Sequence, residues 1–250
     1  MPFELKSQYY DLMIDWAARL AREMPFYRTL FGKYRVKTVL DCACSTGRHA
    51  VAFAKSRYAV VGSDISYEML EIAQQHAKKE KVTLDFVYAD FKRLSEYIPC
   101  QFDAVICVGN SLVQLQNKNE LNTTLREMRN TLNPKGILII QILNFKRLMQ
   151  QNISPMPLRT SKVKGKELLF LRLYSFPQGK ANLDVFTLTK QEGKWDINRH
   201  TTEMLLLTKP ILQKALRTTG FRKIFFYGDF KFSLFNEQTS SDLIVVAQNK

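Results

Sequence analysis

The chain has little of what marks a secreted, membrane-spanning or disulfide-held protein. Its 250 residues include only 4 Cys, and Cys42, Cys44 and Cys107 fall in or beside apolar runs rather than in a spaced framework. Reduced thiols and a cytoplasmic location are the expectation. Cys42 and Cys44 lack a companion Cys or His at structural zinc spacing, so no metal is expected. No apolar run is long enough to cross a bilayer. The opening, MPFELKSQYYDLMIDW, has neither the basic head nor the apolar centre of a secretory leader. Internal repeats and low-complexity tracts are absent as well. What is there is 46% hydrophobic and 24% charged, ample for one sizeable α/β domain with or without a small insertion.

Charge is strongly biased: 37 Lys and Arg stand against 23 Asp and Glu, a net +14. Such a balance favours acidic partners, whether nucleic acid, an anionic membrane face or an acidic small substrate. The lysines are scattered rather than gathered in one block, so nucleic acid is a possible partner but not the favoured one.

Tyr9, Met13, Trp16 and Leu20 recur at helical spacing, with Asp11, Asp15, Arg19 and Arg22 mostly off that stripe. Pro25 is expected to end or kink this first helix. TVLDCA then reads as a strand, STGRHAVAFAKS as a turn entering a helix, and YAVVGSDI as a second strand. Ser66 is placed to cap the helix YEMLEIAQQHAKK, on which His76 reads as a surface residue. VTLDFVYAD and FDAVICVG supply the third and fourth strands, Glu120 to Leu132 a helix, and ILIIQIL a fifth strand entered through Pro134 and Gly136. Near-continuous apolar strands alternating with helices imply a parallel sheet covered on both faces. After Phe145 the rhythm changes to extended, Gly-punctuated segments, with Lys162, Lys164 and Lys166 on a solvated strand face. The expected division is 1–149 for an N-terminal helix and α/β core, 150–205 for a small antiparallel insertion, and 206–250 for a helix and a strand hairpin at one sheet edge.

The stretch VLDCACSTGRHA carries the chemistry. Asp41 follows the first strand, and Ser45 and Gly47 lie in the turn before a helix, where small residues let a ligand approach the backbone and N–H groups face it. Asp64 ends the second strand, where an acid can accept hydrogen bonds from ribose hydroxyls. The turn ACSTG has one glycine rather than G-x-G-x-x-G, and no Gly-Lys-Ser/Thr loop exists, which disfavours dinucleotides and nucleoside triphosphates. S-adenosylmethionine has an adenosine half and a carboxylate but no phosphate, and suits the turn better. His49, just inside that helix, either lines the pocket or satisfies a nearby carbonyl.

These residues resemble the class I S-adenosylmethionine-dependent methyltransferases. VLDCACSTG is similar to their first motif, GSDIS to their ribose-binding strand end and YADF to the turn after the third strand. DAVICVGNSLVQL followed by GILIIQILNFKRL resembles the glycine N-methyltransferase-like branch, which also carries a small antiparallel insertion after the fifth strand. The resemblance implies a Rossmann-like sheet with helices on both faces and that insertion. It implies cofactor contacts from Asp41, Ala43, Ser45 and Gly47 at the methionine half, Asp64 at the ribose, and Met69, Ala89 and Asp90 near adenine. Gly109 and Asn110 would sit beside the sulfonium and the acceptor, and Tyr9, Tyr10 and Trp16 would cover the mouth. Two departures stand out: Ala43 and Ser45 replace glycines of the first motif, and Leu143 occupies the place of the arginine that grips glycine's carboxylate.

The expected activity is methyl transfer to the nitrogen or oxygen of a small molecule, with Asn110 orienting the acceptor through its amide. His200, at the return from the insertion, is a candidate proton-exchanging group, and Arg199 a candidate partner for an acidic substrate. Their alternation along a strand sends them to opposite faces. RNA or protein methylation is the rival reading, but VGNS replaces the Asn/Asp-Pro-Pro-aromatic signature of base-amine methylation. A silent adaptor with the same fold is the third. The sequence specifies no oligomeric state.

Overall fold

The computed structural model describes residues 7–152, 154–163 and 165–250. The first half runs α1 (Ser7–Tyr10), α2 (Trp16–Tyr34), β1 (Thr38–Cys42), α3 (Arg48–Lys55), β2 (Ala59–Asp64), α4 (Tyr67–Lys79), β3 (Asp85–Tyr88), α5 (Leu94–Tyr97), β4 (Phe102–Cys107), α6 (Lys118–Asn130), β5 (Leu132–Leu143) and α7 (Phe145–Gln150). The second half adds β6 (Arg159–Val163), β7 (Lys166–Ser175), β8 (Ala181–Gln191), β9 (Lys194–Met204), α8 (Lys209–Thr218), β10 (Arg222–Tyr227) and β11 (Asp242–Gln248).

Seven strands form one sheet in the order β10-β11-β5-β4-β1-β2-β3. Strands β1 to β5 are parallel, while β11 runs antiparallel beside β5 and pairs antiparallel with β10 at the edge. Burial on both faces explains the unbroken apolar strands. Phe26, Tyr27, Phe31 and Phe53 pack with Val39, Ile106 and Ile139 on one side. Leu121, Leu125, Leu212 and Leu216 pack with Leu40, Val105 and Leu138 on the other. The strand order reverses between β1 and β4, and open α/β sheets bind ligands outside the strand ends at such a reversal.

The four strands β6 to β9 form a separate antiparallel sheet. It packs against the segments that follow β4 and β5, with Leu205 N–H donating to the Val113 carbonyl at 2.7 Å and the Tyr174 ring 5.9 Å from Phe145. The small sheet therefore stands over the carboxyl ends of the parallel strands. Lys162 is exposed and pairs with Glu167 at 3.2 Å, while Lys164 lies outside the described residues.

Several local expectations change. The first helix is split: α1 passes into a 3-10 turn at Asp11–Met13, Ile14 is extended, and the Asp15 side chain caps α2 by accepting from Ala18 N–H. Pro25 does not end α2 but lies inside it. Buried Phe26, Tyr27, Leu30 and Phe31 hold the second half against the sheet, and that packing outweighs the lost backbone bond. Helix α6 begins at Lys118, two residues before Glu120, because the Asn117 side chain caps it by accepting from Glu120 N–H. Register shifts between Phe102/Leu132 and Ala104/Ile137, so Pro134 and Gly136 sit in an irregularity of β5 rather than before it.

Candidate active site

The turn after β1 is held in an unusual conformation. Ala43, Ser45 and Gly47 have φ of 59°, 51° and 70°, a region that costs a non-glycine residue about 1 kcal/mol or more. Gly47 has a second constraint, since a Cβ there would come within 2.7 Å of Ala73 Cβ and 3.0 Å of the Phe86 ring. The strain is held by bonds to the neighbouring strand. Cys44 N–H donates to the Ser63 carbonyl at 2.8 Å and Ser45 N–H to Asp64 Oδ2 at 2.7 Å. Asp64 Oδ1 also accepts from Ser66 N–H at 3.0 Å. Burial raises the Asp64 carboxyl, opposed by these backbone N–H groups.

Asp41 is buried at the end of β1, and its Oδ2 has no hydrogen-bond partner. Burial pushes its carboxyl up to about 7; the Ala50 N–H lowers it, Asp64 raises it and Arg19 lowers it by smaller amounts. Beside it stands Arg19, a residue read from sequence only as off the apolar stripe. Its Nε donates to Glu23 at 2.9 Å, its guanidinium lies 5.0 Å from the Trp16 ring centre, and its Nη2 is 3.4 Å from where a Cβ on Gly109 would be. Glu23 also accepts from Arg22 at 3.0 Å and bonds His49 at 2.8 Å. Burial alone would raise the Glu23 carboxyl, but His49 and Arg19 outweigh it and hold it at about 2. His49 itself is lowered, chiefly by burial and against the bond to Glu23, and the partner of its Nε2 is this carboxylate rather than a carbonyl.

The remaining expected residues fall around the same strand ends. Met69 is buried, its sulfur 3.5 Å from Ser45 Oγ. Ala89 N–H donates to the Asp64 carbonyl at 3.0 Å, and Asp90 accepts from Lys92 N–H at 2.8 Å. Gly109 and Asn110 both have positive φ; Gly109 N–H donates to Gln141 Oε1 and Asn110 Oδ1 accepts from Leu143 N–H, each at 2.8 Å. The Asn110 oxygen is thus spent on the β4–β5 junction, which leaves only its amide N–H groups for a ligand.

The N-terminal aromatics separate. Trp16 donates from Nε1 to Asp11 at 2.9 Å and meets His49 edge-on. Tyr9 packs toward Met13, Phe170 and Val185 under the small sheet. Tyr10 is the one that reaches the turn: its phenol bonds the Ser45 side chain and is raised chiefly by burial. Asp11 fastens this segment by accepting from Thr46 at 2.7 Å and Arg48 Nε at 2.9 Å. His76 is not a surface residue; it bonds the Thr46 carbonyl at 2.8 Å and lies 3.3 Å from Asp11.

Arg199 is not brought to the site. It lies on the outer face of the small sheet, bonded to Asp184 at 3.0 Å and placed over Phe186, because successive strand residues point to opposite faces. His200 pairs in register with Val185 and shares the inner face with it. Among the described residues no group of three or more His, Cys, Asp or Glu is arranged to hold a metal, and no helix is long and apolar enough to cross a membrane.

A methyltransferase-domain family model matches residues 39–136, the stretch that builds these strand ends. A glycine/sarcosine N-methyltransferase from Halorhodospira halochloris is 29% identical over 229 residues, covering 89% of this chain and 79% of that one. This chain is a class I S-adenosylmethionine-dependent methyltransferase. Its sequence lies near the glycine N-methyltransferase-like branch. The fold of this methyltransferase is similar to an S-adenosylmethionine-dependent methyltransferase from Clostridium acetobutylicum, with a TM-score of 0.78 at 14% identity over 94% of this chain and 92% of that one. It is also similar to an amino pentose methyltransferase from Micromonospora echinaspora, solved with S-adenosylmethionine bound, with a TM-score of 0.71 at 15% identity over 100% and 98%. The methyltransferase uses S-adenosylmethionine as its cofactor, and the donor set fits that molecule: a buried acid with an orphaned oxygen, a guanidinium beside it, and a strand-end carboxylate.

Proposed function

We propose that the enzyme transfers a methyl group to the nitrogen of a small molecule. The observation that carries the reading is the orphaned Asp41 oxygen beside the half-buried Arg19, beneath a sheet that covers the strand ends. Asp41 would take the cofactor's ammonium, Arg19 its carboxylate and Asp64 its ribose hydroxyls. Ala43, Ser45 and Gly47 would let the methionine half approach the backbone, and Met69, Ala89 and Asp90 would line the adenine side. The bound sulfonium supplies an electrophilic methyl group; alignment and exclusion of water are what the chain must provide. A neutral amine needs no strong base before attack, in keeping with a site whose buried His49 is already committed to Glu23. Nitrogen as the acceptor atom is supported by the N-methyltransferase relative. Gly109 and the amide N–H groups of Asn110 would meet the acceptor, with Tyr9, Trp16 and His200 at the margin. The small sheet and the α1 segment leave a covered approach suited to a small acceptor rather than duplex RNA.

Two measurements test this. Calorimetry with S-adenosylhomocysteine on folded Asp64→Ala should show affinity reduced about thirtyfold or more, since two charge-assisted hydrogen bonds are lost. Unchanged affinity would remove Asp64 from the cofactor site. Radiolabel transfer from S-adenosylmethionine into metabolite, RNA and protein fractions should label the metabolites; label confined to a macromolecular fraction would reject the small-molecule acceptor.

A further inference from the structure

The small sheet places on its inner face a cation that has no carboxylate partner among the described residues. Along β7, Phe170, Arg172 and Tyr174 alternate onto one face. Phe170 is buried in the cluster with Met13, toward the N-terminal segment. Tyr174 is buried against Phe145, just past the end of β5. Arg172 lies between these two anchors, partly buried, with its Nε wholly enclosed and unbonded. No described carboxylate forms an ion pair with it. The electrostatic neighbours of its guanidinium are Tyr174, Arg159 and Tyr10. Tyr10 is the residue whose phenol also contacts Ser45 and faces Arg19 and Asp64. The Arg172 guanidinium and the turn after β1 therefore share Tyr10 as a common neighbour.

A guanidinium nitrogen enclosed without an acceptor is costly, and a bound anion would complete it. The β5 end offers an acceptor no cation of its own: Leu143 is apolar and its N–H is bound to Asn110. Arg199, the charged residue expected to meet an acidic substrate, is turned away and neutralised by Asp184.

We propose that Arg172 is an acceptor-binding residue that receives a carboxylate of the methyl acceptor, so that the anion is read from the small sheet and not from the end of β5. The proposal rests on the small-molecule reading above and adds that the acceptor carries an acid group besides its methylated atom. A planar carboxylate matches the guanidinium fork, and binding it completes the charge that folding leaves exposed to an apolar surround.

The test uses the full chain loaded with S-adenosylhomocysteine, titrated by calorimetry with sodium acetate, acetamide and sodium phosphate in wild type, Arg172→Gln and Arg172→Lys. Acetate should bind wild type in the millimolar range and Arg172→Gln at least tenfold more weakly, with acetamide silent and S-adenosylhomocysteine affinity equal in both. Arg172→Lys keeps the charge without the fork and should fall between them, which keeps the test decisive if the glutamine variant fails to fold. Acetate binding that is absent, or equal in wild type and the variants, overturns the assignment. So does binding of phosphate without acetate. Failure of the loaded complex to form in wild type overturns the site on which the assignment stands, and transfer of label only to RNA or protein overturns the small-molecule reading as well.

Discussion

Asp41 stores a pH response in a single side chain. Burial raises it to about 7 in the folded protein, against an ordinary carboxyl value near 4 when unfolded. Between those values the native state holds a proton that the unfolded chain releases, so stability falls as pH rises from about 4 to about 7. Asp41→Asn lacks that slope. At pH 8 its melting temperature should exceed wild type by about 5 °C, with the gap closing toward pH 4, as read by thermal unfolding across a pH series. The same variant should bind S-adenosylhomocysteine about tenfold more weakly at pH 8, because the ammonium loses its counter-charge; equal binding would separate Asp41 from the cofactor. Glu23 has the opposite sign. Held at about 2 against an unfolded value near 4, it contributes stability above about pH 4 that is lost as pH falls toward 2. Glu23→Gln removes the buried counter-charge of half-buried Arg19 and should cost about 3 kcal/mol in urea unfolding at pH 7, the difference shrinking below pH 4.

The element that closes the site is the short N-terminal stretch from α1 to Ile14. It packs Tyr9, Leu12 and Met13 under the small sheet, and it is fastened to the turn after β1 through Asp11, which bonds Trp16, Thr46 and Arg48 and lies near His76. Asp11→Ala should raise proteolytic cleavage ahead of Ile14 about tenfold, while the melting temperature of the core moves by less than about 4 °C, because a terminal segment can open locally without unfolding the large sheet. An unchanged cleavage rate would show that Met13 and Tyr9, packed under the small sheet, hold the segment unaided.

Across the whole molecule, protection from solvent is graded. Strands β4 and β11 and the part of β5 from Gly136 onward lie inside the large sheet and are almost wholly buried, whereas β9 is the edge of the small sheet and is exposed from Lys194 to Arg199. Native-state hydrogen exchange should therefore be slowest in β4, β5 and β11 and at least a hundredfold faster in the outer half of β9. Uniform protection of both sheets would mean that they open as one unit. The net charge of +14 belongs to this scale too. It is spread over surface lysines and arginines, several already matched by acids such as Glu80, Glu96 and Glu203. At this scale a net positive charge raises the general attraction for acidic partners.

By itself the sequence determined the alternation of apolar strands with amphipathic helices, and with it the parallel sheet, its antiparallel edge and the small sheet after β5. Periodicity reports burial directly, and burial is what a sheet covered on both faces demands. It also marked Asp41, Ser45, Gly47 and Asp64, because strand-end acids and a small-residue turn are adjacent to their elements in the chain. Only the tertiary structure decided which distant groups complete the site. Arg19, Glu23 and His49 meet across α2 and α3, Asp11 crosses to Thr46 and Arg48, and Arg172 comes from a sheet more than a hundred residues beyond β1. Nothing in local pattern separates a buried arginine from a solvated one on a strand of mixed residues. Pro25 shows the same limit from the other side: its local rule is to stop a helix, and the aromatic packing of the residues after it overrode that rule.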